Sequence, residues 1–432
     1  MANKEQQEKF EAFKEDDLKN NRGRIINAMD EIRFLISHPK ECAIHQKIQL
    51  NDILTFATRY SDYYKEYVNF KTLQDFPVVD KNTYRENWDR IAVKEYSELP
   101  DSRVKYTSGS TGTPFKMVLD RARHGRWIAG NKVFREIVGM ESHDKGIYVS
   151  ANITDKHIPM DRQVRDNMYY IDCVFLDKGG VNDFIDYLVD NDIHYMTILA
   201  SALERICLLI QEGKVKPWKG HFVGIDTQSD MLKESTRKIA SEYFKCPITD
   251  TYGCEEVGVI ASEDGSGYGR LLNNVDLYVE VLELDRDAPV KEGEIGRLVI
   301  TDLYNKAFPI IRYALGDLGS IITTTDGKQY LNQLAGRQAD MLYTTNGKPV
   351  NYFHIISLLE PYQDIKQFQL IQEDFTHFRW ILNTENHSYE RMIIEYSKKL
   401  FGDDSEWKFE YVTELPKLKS GKRKMTVCNI VK

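Results

Sequence analysis

Long apolar runs are missing from this 432-residue chain. A membrane helix needs ~20 apolar residues in succession. The nearest approach, 193–210, is interrupted by His194, Glu204 and Arg205, so no membrane span is expected. Residues 1–17 are charged and polar, without the apolar stretch of a secretory signal, and the expected location is the cytoplasm. The six cysteines (Cys42, Cys173, Cys207, Cys246, Cys254 and Cys428) are too scattered for a disulfide framework and read as reduced thiols. No CxxC or HExxH spacing occurs, and residues 257–274 hold neither Cys nor His, so Cys254 has no close soft-metal partner in sequence. Strong charge bias is absent too: 58 basic against 66 acidic residues leave a net charge of −8. A whole-surface affinity for nucleic acid or anionic membrane is therefore not expected, which leaves room for a local basic patch. Internal repeats, low-complexity tracts and the P-loop pattern GxxxxGK[ST] are also missing.

What is present is ordinary globular composition, with 42% hydrophobic and 29% charged residues. At roughly 100–200 residues per domain, the length predicts two to four domains, or one large and one small. Residues 5–35 carry apolar side chains at helical spacing, and 51–67 read as a further helix ended by Pro77. From residue 104 onward short β-rich runs alternate with helices. The strands are expected at 115–119, 146–150, 195–199, 222–225 and 248–252, and the helices at 123–138, 181–191, 203–212 and 233–244. That alternation argues for a mostly parallel sheet with helices packed on it. Beyond Leu271 the runs 277–284, 296–301 and 321–324 suggest an antiparallel, β-rich lobe. The last ~90 residues read as a separate α+β unit: a hairpin at 367–372 and 377–382, a helix at 388–400 and a strand at 407–412. The fold class is therefore α/β: a large N-terminal domain over 1–336 with mixed or parallel sheets flanked by helices plus a β-rich lobe. A hinge at 337–340 and a small, mobile α+β C-terminal domain over 341–432 follow.

Five stretches carry chemistry. Tyr106-Thr107-Ser108-Gly109-Ser110-Thr111-Gly112-Thr113-Pro114-Phe115-Lys116 gathers hydroxyls and glycines that cannot pack a core. Such a loop can wrap phosphate oxygens, because glycine removes the Cβ and permits positive φ. On composition alone a surface loop reads equally well. Thr249-Asp250-Thr251-Tyr252-Gly253-Cys254-Glu255-Glu256-Val257-Gly258 follows an apolar run and sets an aromatic beside two carboxylates. That combination suits a planar base and an oxygen-loving cation, although a polar turn with solvated acids also fits. The others are Ile311-Arg312-Tyr313-Ala314-Leu315-Gly316-Asp317, Gly336-Arg337-Gln338-Ala339-Asp340, and the basic Pro416-Lys417-Leu418-Lys419-Ser420-Gly421-Lys422-Arg423-Lys424.

In this order the five resemble the motifs of the adenylate-forming superfamily: acyl-CoA synthetases, peptide-synthetase adenylation domains and luciferases. The nearest likeness is to the phenylacetate-CoA ligase family and its capsule-biosynthesis-associated relatives, from about residue 76 to 424. Glu255 stands where that family usually has a hydroxyl, and Ala314 and Leu315 replace its polar pair.

The resemblance implies that ATP, Mg²⁺ and coenzyme A serve a carboxylic acid substrate, with an aryl acid such as phenylacetate as the family-level expectation. It assigns Ser108, Gly109, Ser110, Thr111, Gly112 and Thr113 to the phosphates, with Thr111 also catalytic. Tyr252 would stack on adenine, with Asp250, Gly253 and Glu255 beside it. Glu256 would be catalytic and bind Mg²⁺, Asp317 would hold the ribose, and Arg337 the ribose or α-phosphate. Lys422 would reach the α-phosphate as a catalytic cation, and Asp340 would be the hinge. Tyr148, Ala151, Ala200, Ser201 and Gly224 are candidates for the acyl pocket. A homodimer is a further family-level expectation. Two other readings stay open: an adenylating enzyme that passes its acyl group to a carrier or amine acceptor in polysaccharide assembly, and a nucleotide-binding protein with reduced catalysis.

Overall fold

The computed structural model describes residues 4–107, 115–150, 158–178, 180–337, 341–350, 355, 358–359, 362, 364–415 and 425–430. The chain divides into two compact units, Met1–Leu315 with Ser320–Gln333, and Gly316–Gly319 with Leu334–Lys432.

The larger unit opens with helices Lys4–Asn21, Arg24–Ser37 and Pro39–Tyr60. In the second helix the buried residues Ile25, Ala28, Met29, Ile32 and Leu35 recur every three or four positions, which lines them along one face. That face packs on Ala129 and Val133 of the helix Arg121–Glu136. The third helix begins twelve residues before the expected 51. Pro39 sits in its first turn, where a missing N–H has no partner to lose. Up to Ile53 the only buried residue of that helix is Cys42, so apolar periodicity could not reveal it. It ends at Tyr60, and 64–67 forms a separate 3₁₀ turn.

Strands β1 (Arg103–Thr107) and β2 (Phe115–Leu119) pair antiparallel, with Thr107 opposite Phe115. The glycine-rich Ser108–Thr113 lies between them, outside the described residues. The main sheet has eleven strands. They are β3 (Gly146–Ser150), β4 (Met168–Asp172), β5 (Tyr195–Leu199), β6 (Gly224–Gln228), β7 (Ile248–Cys254), β8 (Gly258–Glu263), β9 (Arg270–Leu272), β10 (Leu277–Leu282), β11 (Gly296–Asp302), β12 (Tyr313–Thr323) and β13 (Gln329–Arg337). Their spatial order is β10-β11-β12-β13-β9-β8-β7-β6-β5-β3-β4. β3 to β7 pair in parallel, as the strand–helix alternation predicts. The β-rich portion continues the same sheet, with antiparallel pairing from β7/β8 onward.

The parallel strands have two unlike faces. Ile147, Val149, Met196, Ile198, Ile225 and Ile248 pack against Phe184, Leu188, Leu203, Ile206 and Phe244 from the covering helices. Burying a side chain of this kind contributes about 1.5–3 kcal/mol. The opposite face carries Tyr170, Tyr148, Thr197, Asp226 and Thr249 in one aligned row. Strand β6, expected at 222–225, runs instead over Gly224–Gln228, and Asp226 and Thr227 within it are buried.

In the smaller unit, β14 (Leu342–Tyr343) and β15 (Pro349–Val350) form a short pair. β16 (Gln367–Gln372) and β17 (His377–Asn383) form the expected hairpin, and β18 (Glu406–Tyr411) and β19 (Thr426–Cys428) add parallel on either side. The helix Glu390–Phe401 turns Ile393 and Phe401 onto a core centred on Trp380 and Phe378.

Candidate active site

In sheets of this type ligands bind beyond the carboxyl ends of the parallel strands. β7 ends there in Tyr252-Gly253-Cys254, and the chain turns through Glu255-Glu256-Val257 into β8. The ladder shifts register between Tyr252 and Gly253. A Cβ on Gly253 would lie 2.6 Å from the Gly258 carbonyl oxygen, so glycine is what lets the two strands approach.

Glu256 is buried, with its side chain 7% exposed. Its Oε1 lies 3.2 Å from Lys81 Nζ and accepts a hydrogen bond from the Tyr313 hydroxyl at 3.3 Å. Local structure brings these partners together. Asp80 caps the short helix Lys81–Glu86 by accepting from the Thr83 N–H at 2.8 Å. Val79 is laced to the start of β12: its N–H donates to the Arg312 carbonyl at 3.0 Å, and its carbonyl accepts from the Ala314 N–H at 2.8 Å. Arg312 adopts a left-handed φ of 49°. It is held there by Glu280, at 3.1 and 3.2 Å, and by the Phe76 carbonyl at 2.8 Å. A buried carboxylate beside a phenol offers hard oxygen donors, which suit Mg²⁺. Among the described residues no group of three His, Cys, Asp or Glu converges on a metal position. A cation at Glu256 would therefore take most of its oxygens from a ligand and water.

Glu255 turns the other way and meets Lys105 of β1 at 3.2 Å. The Lys105 ammonium also lies 3.5 Å from the centre of the Trp127 ring, close enough for a cation–π contact. The strand leading into the glycine-rich loop is thus tied to the Tyr-Gly turn by a residue 150 positions away. Burial, with Glu255 adding to it, pushes the Tyr148 phenol up to about 12. Burial and the adjacent Glu256 likewise raise the Cys254 thiol.

The other anticipated residues fall as follows. Tyr252 is partly exposed at the end of β7. Asp250 is buried and turned to the opposite face from Asp226. It pairs with Arg270 and accepts from Thr227 Oγ1 at 2.7 Å, so its carboxylate ties strands together. Asp317 follows Gly316, whose φ of 80° makes the left-handed kink within β12. Arg337 ends β13. Ala200 is buried, and Ser201 donates to Asp230 at 2.6 Å. Gly224 begins β6 beneath Met140, where a Cβ would be 2.7 Å from the Met140 methyl, so it does not line an open pocket. Ser108, Gly109, Ser110, Thr111, Gly112, Thr113, Ala151, Asp340 and Lys422 lie outside the described residues. Sequence reasoning missed Lys81, Lys105 and the link from Tyr313 to Glu256. A lone Lys after a helix cap or within a strand carries no signal of its own.

Residues 342–429 match the CapK C-terminal domain family. Protein CapK of Staphylococcus aureus is 20% identical over 417 residues, covering 89% of each chain. A phenylacetate-coenzyme A ligase of Pseudomonas putida is 24% identical over 293 residues, 62% of each chain. Among solved structures, 2-hydroxyisobutyryl-CoA ligase in the postadenylation state with 2-HIB-AMP superposes with a TM-score of 0.70 at 16% identity, covering 88% of each chain. The chain thus shares its fold with 2-hydroxyisobutyryl-CoA ligase and is similar in sequence to CapK and to a phenylacetate-coenzyme A ligase.

Proposed function

We propose that this chain is an AMP-forming ligase that activates a carboxylic acid with ATP and transfers the acyl group to coenzyme A. A carboxylate oxygen attacks the α-phosphorus as the bond to pyrophosphate breaks, giving an acyl-adenylate. A thiol then attacks the acyl carbon and AMP leaves. Both steps ask the protein mainly for position and charge compensation. The observation that carries this reading is the buried Glu256, held by Lys81 and Tyr313 one turn beyond Tyr252 at the strand ends.

In this reading Ser108–Thr113 hold the phosphates, Tyr252 stacks on adenine, and Asp317 and Arg337 bind the ribose. Lys422 meets the charge that builds on the α-phosphate, and Asp340 is the hinge. Mg²⁺ held at Glu256 would neutralise phosphate charge. Lys105, paired with Glu255, keeps in place β1, the strand that leads into the phosphate-binding sequence. Phenylacetate and other aryl acids enter as the family-level candidates for the acid. Acid-dependent exchange of pyrophosphate into ATP, followed by thioester formation with coenzyme A, tests the proposal. Absence of exchange with every acid, despite ATP binding, would sink it.

A second reading, transfer to a carrier or amine instead of coenzyme A, is favoured by the relation to CapK across 89% of the chain. Adenylate formation without thioester in the same assay would select it.

A further inference from the structure

The nucleotide reading leaves one buried polar cluster unused. Parallel strands enclosed on both faces are normally aliphatic on both, and the helix-covered face here is mainly so, with Thr227 and Asp250 as its polar members. The opposite face carries Tyr170, Tyr148, Thr197 and Asp226 side by side on β4, β3, β5 and β6. Aligned residues on neighbouring strands point the same way, roughly 4.8 Å apart. Thr197 is 2% exposed, and its hydroxyl has no hydrogen-bond partner among the described residues. Asp226 is 4% exposed. Its Oδ1 accepts from Thr251 at 2.8 Å and Thr249 at 3.4 Å, while Oδ2 accepts from none of the described residues.

The Tyr148 and Tyr170 rings lie 5.5 Å apart. Arg135, at the end of the helix Arg121–Glu136, donates from Nε to the Asn131 carbonyl at 2.9 Å. Its charge acts on Tyr148, Tyr170 and Asp226, in each case against burial. The cluster borders the nucleotide motif: Thr251, which donates to Asp226, directly precedes Tyr252.

We propose that this row reads the acyl end of the acid, and that the acid is small, aliphatic and hydroxylated. The inference rests on the ligase reading above. The row is made of two phenols, a hydroxyl and a carboxyl, groups that suit a neutral hydrogen-bonding substituent. A phenyl ring laid there would leave the Thr197 hydroxyl and Asp226 Oδ2 desolvated and unpaired. A site built to hydrogen-bond a substituent discriminates strongly against the analogue that lacks it.

The test is pyrophosphate exchange by the full chain with matched acids: lactate against propionate, 3-hydroxybutyrate against butyrate, and phenylacetate and alanine beside them. The expected result is that one of the hydroxy acids exceeds its unsubstituted partner, phenylacetate and alanine by about tenfold or more in kcat/KM. Asp226→Asn and the near-isosteric Thr197→Val should each shrink that preference about tenfold, with ATP affinity by calorimetry unchanged. The Thr197 variant keeps the test decisive if the Asp226 variant misfolds. A preference for phenylacetate, for alanine or for the unsubstituted partner overturns this inference while leaving the ligase reading intact, as does a hydroxyl preference untouched by Thr197→Val. Exchange with none of the acids overturns both.

Discussion

Glu256 and Lys81 show how one buried carboxylate is made tolerable before any ligand arrives. Lys81 is 30% exposed at its side chain and Glu256 only 7%. Removing the ammonium therefore strands a desolvated negative charge, which costs more than the pair itself contributes. Lys81→Met is expected to destabilise the larger unit by roughly 1–3 kcal/mol. MgATP should raise its melting temperature more than that of the parent, because a bound cation replaces the lost charge. Thermal unfolding with and without MgATP decides this, and equal shifts in both proteins would separate Glu256 from the metal.

Asp226 makes a second prediction at this scale. Burial raises its carboxyl from 3.8 to about 7. Asp250 adds to the rise, while Thr251, Arg135 and Thr249 oppose it. An acid with a raised folded pKa binds more protons in the folded state, so stability falls as pH climbs from about 4 through 7. Asp226→Asn should remove that slope and gain on the parent by on the order of 1–4 kcal/mol at pH 8 relative to pH 4. Denaturant midpoints at the two pH values give the difference, and parallel pH profiles would rule out the buried proton.

The hairpin β7/β8 is where element geometry bears on the proposed chemistry. Gly253→Ala would place a Cβ 2.6 Å from a backbone oxygen that cannot swing aside. The strands must part, and the turn bearing Glu255 and Glu256 moves with them. The expected cost is about 1–3 kcal/mol, with pyrophosphate exchange falling further than stability alone explains. Near-normal exchange would show that the turn tolerates the shift.

Elements with aliphatic alternation, such as Gly146–Ser150 and Tyr195–Leu199, were legible in the sequence because one face is packed by helices. Met168–Asp172 was not, since Tyr169 and Tyr170 give no alternation. Nor was the full length of Tyr313–Thr323, where Gly316, Asp317 and Gly319 look like a loop. The same polar content that hid these strands marks the motif and the Asp226 row. Glu256 stands in a motif that the sequence displays, whereas its partners Lys81 and Tyr313 carry no such signal, because only the folded sheet brings them together.

At the scale of the molecule, the chain has two independently cored units, one centred on the eleven-stranded sheet and one on Trp380 and Phe378. The proposed chemistry asks the smaller unit for Lys422 in the first half-reaction and for room for a thiol in the second. One arrangement cannot serve both, so the linking residues must change their backbone angles between steps. Asp340→Pro fixes φ near −65° and removes an N–H, so it should hinder the change and leave each unit folded. Thioester formation is expected to drop about tenfold or more below the loss in pyrophosphate exchange. Lys422→Ala should do the reverse, cutting exchange by on the order of 10²–10³ while thioester formation from supplied acyl-adenylate persists. Measuring both half-reactions in both variants separates a hinge from a catalytic cation. Equal losses in the two steps for Asp340→Pro, or undiminished exchange for Lys422→Ala, would assign these residues no part in the cycle.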